Sequence, residues 1–391
     1  MATFRRRRNL PGRFAARDHS GGFSFGRPLV LLQSDDWGRV GVRDHQGWEE
    51  LHANGVNLGE SPYDFYSLET ADDVLALRDV LARHRDSTGR SACVVMNFLL
   101  ANLDFPRMAE CGSKEILLKL LTEGLPGRWQ RPGLLEAYRT GIADGIFYPA
   151  LHGLTHFCCQ AVARELGDGG TRGDLLRTLW KAETPYIYWR MPWIGYEYYD
   201  PQKSQFLSGE KQAQLIREAT ACFREFLGVA PVSACAPGYR ANRDTHHAWA
   251  ACGVKVAQNG SGTPALPHMD SCGMLNLYRT IDFEPAHRPL PVDHYLQLAA
   301  NAFAAGAPLI ISSHSINFHS SLKDFRCSTL KALDQLLTAL EANYPDLLYV
   351  HDGDLYEMVT RGRLAGPDRT VSIDVRKNEN AEVSAAFGGM N

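Results

Sequence analysis

Two adjacent carboxylates, Asp35 and Asp36, close the apolar run Pro28-Leu29-Val30-Leu31-Leu32-Gln33-Ser34, and Trp37-Gly38 follow them. Two imidazoles four positions apart, His152 and His156, follow a second apolar run at 146–151, and a third run at 308–313 leads into His314. Spacing of four lets two imidazoles chelate one divalent ion, from a helical turn or from a loop. A carboxylate added to that pair still leaves coordination positions free for water and substrate. On this reading Asp36, His152 and His156 hold Zn²⁺, or alternatively Fe, Co, Ni or Mn. Asp35 then takes a proton from a metal-activated water, and His314 protonates the leaving group from the other side. The turn Pro237-Gly238-Tyr239 offers the backbone N–H of Gly238 or Tyr239 as an oxyanion donor. The competing readings are structural: one Asp as a cap and the other solvated, a chance His pair among 14 histidines, and an ordinary turn.

A second concentration of chemistry lies at 186–199, where five Tyr and two Trp fall within fourteen residues. Aromatic faces beside a pocket stack on sugar rings, and their polar tips find hydrogen bonds. Trp189, Trp193 and Trp37, with Glu197, Arg190 and Arg240, are therefore expected at the substrate, although a loop packed on the protein body would use the same residues.

The elements that must position these residues alternate. Apolar runs at 28–34, 91–97, 146–151, 232–236, 254–257, 275–283, 308–313 and 347–350 read as strands. Amphipathic helices are expected within 44–60, over 68–85, 114–121, 134–140, 209–227, 245–251, 293–304 and 330–343. About seven strand–helix alternations exceed what one open sheet comfortably takes, and polar clusters repeatedly follow strands. The expected fold is therefore α/β, a deformed (β/α) barrel with those clusters on one rim. Its domain is expected over 28–363, with an aromatic-rich insertion at 157–208, a loose arm at 1–27 and a tail at 364–391.

Composition excludes several classes. A net charge of −3 gives no electrostatic case for nucleic acid, and the basic cluster Arg5 to Arg8 reads as a solvated tail. No apolar run approaches the roughly 18 residues of a membrane span, and no h-region follows the basic cluster. Nine cysteines, an odd number without paired zinc-finger spacing, read as reduced thiols in a cytoplasmic protein.

The order of these pieces resembles the polysaccharide deacetylases of the NodB-homology type, carbohydrate esterase family 4. The resemblance rests on a strand ending in Asp-Asp, then His-x-x-x-His, then a strand followed by Pro-Gly with Asn242 and Thr245 beyond, then a strand ending in His-Ser, and it runs from about 28 to 360. It implies metal-dependent removal of an N-acetyl group from a sugar or glycoside, with Asp35 as base, Asp36, His152 and His156 as ligands, and His314 as acid. Two departures stand out. The family's first motif usually carries Gly directly after the second Asp, where this chain has Trp37. Its third motif begins with an Arg that orients the base; here that position is Cys235, and Arg240 is the nearest candidate to replace it. The missing Arg leaves open a catalytically silent carbohydrate-binding protein on the same barrel, or another metal-dependent hydrolase of C–N, ester or glycosidic bonds. Neither His152 nor His156 belongs to the tight His-x-Asp pair usual in non-haem iron oxygenases, which argues against that class.

Overall fold

Strand β1 (Leu29–Trp37) is buried at all nine positions and has parallel neighbours on both sides, which is why its apolar run shows no alternation. The computed structural model describes residues 22–260, 266–365 and 370–378. Around β1 stand β2 (Val94–Leu99), β3 (Phe147–Gly153), β4 (Ser233–Cys235), β5 (Val256–Asn259), β6 (Leu275–Tyr278), β7 (Ile281–Asp282), β8 (Leu309–His314) and β9 (Leu348–Tyr349). Their spatial order is β6-β5-β4-β3-β2-β1-β8-β7, with every pair parallel and β9 beside the start of β1. A two-residue strand, His268–Met269, adds antiparallel outside β6.

β6 and β7 occupy opposite ends of that order, yet only Arg279 and Thr280 separate them in the chain. This one interrupted segment joins the two edges of the curled sheet. Arg279 donates its backbone N–H to the Asn259 carbonyl (3.1 Å) and Thr280 donates to the Ile310 carbonyl (2.8 Å). The expected deformed (β/α) barrel is therefore formed, and the single strand expected over 275–283 is realised as two halves.

The helices are α1 (His45–Ala53), α2 (Ala71–Leu81), α3 (Phe105–Glu110), α4 (Leu134–Ala143), α5 (Cys159–Gly167), α6 (Thr171–Lys181), α7 (Gly209–Leu227), α8 (Arg243–Ala251), α9 (Val292–Ala304), α10 (Arg326–Asn343) and α11 (Asp352–Arg361). Local chemistry sets their starts. Thr70 with Asp73 and Asn242 with Thr245 form reciprocal capping boxes for α2 and α8. The helix expected over 114–121 does not form. Asp104 caps an earlier helix instead, positive φ at Gly112 and Ser113 ends that segment, and Leu118–Leu120 pairs antiparallel with Ala101–Leu103. None of the helices among the described residues is long and apolar enough to cross a membrane.

Inside the barrel, Leu29, Leu31, Val95, Ala150, Val256, Leu275, Ile310 and Leu348 form one apolar cluster, into which Phe25, Leu364 and Ile373 also pack. The last three come from stretches expected to be a loose arm and a tail. As far as they are described, Phe23–Phe25 pairs antiparallel with Val375–Lys377, and Arg363–Ala365 with Thr370–Ser372. Burial of Phe25 and Ile373 is the physical reason they stay on the barrel. Residues 1–21, including Arg5 to Arg8, and 379–391 lie outside the described residues.

Candidate metal centre

Strict strand alternation would point Asp35 and Asp36 to opposite faces. A bulge avoids this: the pairing of β1 with β2 shifts register between Ser34 and Trp37, and Asp36 takes φ 75°. Gly38 also has positive φ, but Asp36 itself makes the turn. Left-handed backbone costs about 1–2 kcal/mol for a residue with a Cβ, and Asp is among the side chains that tolerate it. Neighbours hold it there. The Asp36 carbonyl accepts from the hydroxyls of Tyr66 (2.9 Å) and Ser315 (3.3 Å), and Gly38 N–H donates to the buried Glu69 carboxylate (2.8 Å), which Tyr138 also engages.

Asp36, His152 and His156 converge. The Nε2 atoms of His152 and His156 lie 3.6 and 3.5 Å from Asp36 Oδ1, and the three donor atoms sit within 4.8 Å of one another. His152 Nδ1 is 2.8 Å from the Cys235 carbonyl. A carbonyl only accepts, so Nδ1 carries the proton and Nε2 is the free donor, the usual arrangement of a metal-binding imidazole. Asp36 Oδ2 faces Arg39 (3.2 Å), whereas Oδ1 is buried without a hydrogen-bond partner. An orphaned carboxylate oxygen between two imidazole nitrogens fits a divalent cation. Burial pushes His156 down to about 3, more than the Asp36 charge restores, so its ring is neutral. Burial also opposes ionisation of Asp36, but Arg39 and the imidazoles prevail and hold it well below the carboxylate range.

Asp35, 3% exposed, faces a cation that sequence reasoning did not find. Arg279 forks onto it, with Nη1 to Oδ2 at 2.7 Å and Nη2 to Oδ1 at 2.6 Å, and Asn97 donates to Oδ1 at 2.7 Å. Burial disfavours the charged carboxyl, yet Arg279 outweighs it and the pKa falls. Arg240, the expected substitute for the family's arginine, lies instead over the Tyr199 ring. Arg279 reaches Asp35 from the gap in the barrel-closing segment. Its one signal in the sequence is a charge in the middle of an apolar run, Leu275 to Phe283.

Across from Asp35, His314 Nε2 lies 3.9 Å from Oδ2, and its Nδ1 bonds Glu284 at 2.6 Å. Burial works against the charged ring, but Glu284 raises it to about 9. Glu284 is a second residue the sequence reading missed.

Several expected substrate contacts lie elsewhere. Trp37 is fully buried and stacks on Phe318, because the bulge that frees Asp36 turns the next side chain into the core. Trp189 donates to Asp64 (2.6 Å), Arg190 pairs with the same carboxylate (3.0 Å), and Trp193 packs on the core under Arg172. Glu197 is buried and turned towards backbone amides. Tyr239 N–H is taken by the Ala236 carbonyl (2.8 Å), while its hydroxyl accepts from Arg279 (2.6 Å), so of the turn only Gly238 is left as a donor candidate. Among the aromatic rings that meet the centre are Tyr188 and Tyr196, 5.4 and 5.8 Å from the His156 ring with their hydroxyls 2.9 Å apart, while Tyr186 stacks on the same ring at 6.5 Å.

No protein-family model matches this chain, and no curated protein matches it in sequence. It is similar to solved structures. One, from Parabacteroides distasonis and assigned as a glycoside hydrolase/deacetylase, has 12% identity and a TM-score of 0.48 over 88% of this chain and 73% of that one. Another, from Mycobacterium smegmatis and assigned as a polysaccharide deacetylase, has 11% identity and a TM-score of 0.46 over 87% and 93%. A CE4 family pseudoenzyme from Bacillus anthracis has 10% identity and a TM-score of 0.35 over 84% and 66%. The fold described above stands on its own strand order and pairing.

Proposed function

We propose that this chain is a metal-dependent hydrolase that removes the N-acetyl group from a sugar or glycoside. The observation that carries the reading is the convergence of Asp36, His152 and His156 around an unpartnered carboxylate oxygen, with Asp35 and His314 beside it. A divalent ion, Zn²⁺ or one of its neighbours, would be held by those three residues, polarising an acyl carbonyl and acidifying water.

The remaining steps belong to the chain. Asp35, kept ionised and oriented by the Arg279 fork, accepts the proton of the attacking water. A carboxylate so stabilised is a weak base, so it suits only a water whose own pKa has been lowered. His314, kept protonated by Glu284, donates to the departing amine. Gly238 N–H is the proposed oxyanion donor, and Tyr188 and Tyr196 replace the tryptophans as the aromatic wall for the sugar. The feature that motivated a silent carbohydrate-binding protein, the lack of an arginine beside Asp35, is answered by Arg279.

The test is metal content together with acetate release from N-acetylglucosamine oligomers. We expect about one bound ion per chain, activity lost on chelation and restored on metal return, and no activity in Asp36→Ala. Acetate release that survives both chelation and that substitution would overturn the proposal.

A further inference from the structure

Glu197 comes from the aromatic stretch but faces away from solvent, being 2% exposed. Its carboxylate accepts the backbone N–H groups of Leu154 (2.9 Å) and Thr155 (3.2 Å). Those amides lie inside the three-residue span that separates His152 from His156. The other edge of the same span is also fastened, since the Gly153 and Leu154 carbonyls accept from Leu100 N–H (3.0 Å) and Ala101 N–H (2.9 Å). Gly153, at φ 109°, leaves no room for a side chain, because a Cβ there would run into the Glu197 carboxylate. Just past His156, Cys158 N–H donates to the Ile194 carbonyl (2.9 Å), a second tie between the aromatic stretch and the histidine loop. Leu154 and Thr155 are themselves buried, so without Glu197 two amide donors would lack an acceptor. The burial that this position imposes pushes Glu197 up to about 7.

We propose that Glu197 is a positioning residue for the metal centre: by holding the two amides between His152 and His156, it sets the separation and aim of the two imidazoles. The aromatic stretch then serves the metal site through its carboxylate and the substrate only through Tyr188 and Tyr196. This rests on the reading that Asp36, His152 and His156 bind a divalent ion. The role is geometric. Any acceptor oxygen at that reach suffices, and the negative charge is not required.

The experiment is Zn²⁺ affinity by competition with a chromophoric chelator, and the Co²⁺ absorption spectrum, in wild type and in Glu197→Gln, Glu197→Asp and Glu197→Ala. Glu197→Gln keeps an acceptor oxygen in place and should bind within about threefold of wild type, whereas Glu197→Asp and Glu197→Ala should weaken binding roughly 10–100-fold. The Co²⁺ band should change in the last two variants only, while the circular dichroism of all the metal-free proteins stays alike. Wild-type affinity in Glu197→Ala would overturn the proposal, as would a loss in Glu197→Gln equal to that in Glu197→Asp. If Glu197→Ala does not fold, the Gln and Asp variants decide alone. A wild-type protein that binds neither ion would instead remove the metal reading itself, and this inference with it.

Discussion

His314 is the side chain whose charge state the surroundings most visibly set. Its Nδ1–H donates to Glu284 Oε1, and Asn317 donates to the other oxygen of that carboxylate at 2.5 Å, so Glu284 is held in place. Asp35 and Asp36 face the ring as well, and together these acids overcome burial and raise it to about 9. A folded-state value above the unfolded one means the pair stabilises the fold fully below about pH 6.5 and loses that contribution as pH rises through about 9. For the proposed acid, acetate release should accordingly fall on the alkaline side near pH 9. Glu284→Gln should move that fall down towards about 6.5, read from kcat against pH; an unmoved alkaline limb would show that Glu284 does not set it. At this scale the sequence was informative about residue types and poor about direction. Asp36, His152 and His156 were legible because adjacency and spacing are local. Glu197 and Trp37 are buried and Trp189 bonds Asp64, placements the sequence did not show because the way a polar or aromatic side chain faces depends on its neighbours in space.

Among the elements, the broken strand between β6 and β7 matters most. Its gap supplies the arginine that the third motif lacks, and Arg279 is 1% exposed among Asp35, Gln258 and Tyr239. Lysine keeps the charge but cannot fork onto both carboxylate oxygens. We expect Arg279→Lys to fold and to bind metal like wild type while losing on the order of 10²-fold in kcat, because a small misplacement of the base is costly. Arg279→Met, which leaves Asp35 buried without its cation, should lose about 3–5 kcal/mol of stability by denaturant titration. Unchanged kcat in Arg279→Lys would show that the fork does not position Asp35. Most strands and helices were readable from apolar periodicity and caps. The bulge at Asp36 was not, since a register shift exists only relative to a partner strand. Helices α5 and α6 were also missed, because glycines at 167, 169, 170 and 173 read as loop when helix ends fall among them.

On the whole molecule, the two ends of the described chain meet. Phe23–Phe25 pairs with Val375–Lys377, and Phe25 joins the apolar cluster inside the barrel. This contact involves none of the metal-site residues. Phe25→Ala should therefore lower stability by about 3 kcal/mol, seen as a lower denaturation midpoint, and leave metal affinity as in wild type. A loss of metal binding in the folded variant would show that the terminal strands and the centre are coupled.

By itself the sequence determined the class of fold and pointed to the candidate donors: a parallel barrel from its buried apolar runs, and Asp36, His152 and His156 from adjacency and spacing that are written locally. Only the tertiary structure decided what stands against Asp35. Arg279 lies 244 positions away in the chain, and it arrives because the segment carrying it joins the two edges of the sheet. Such a contact depends on which strands pair and in what register, and no local pattern of residues encodes that.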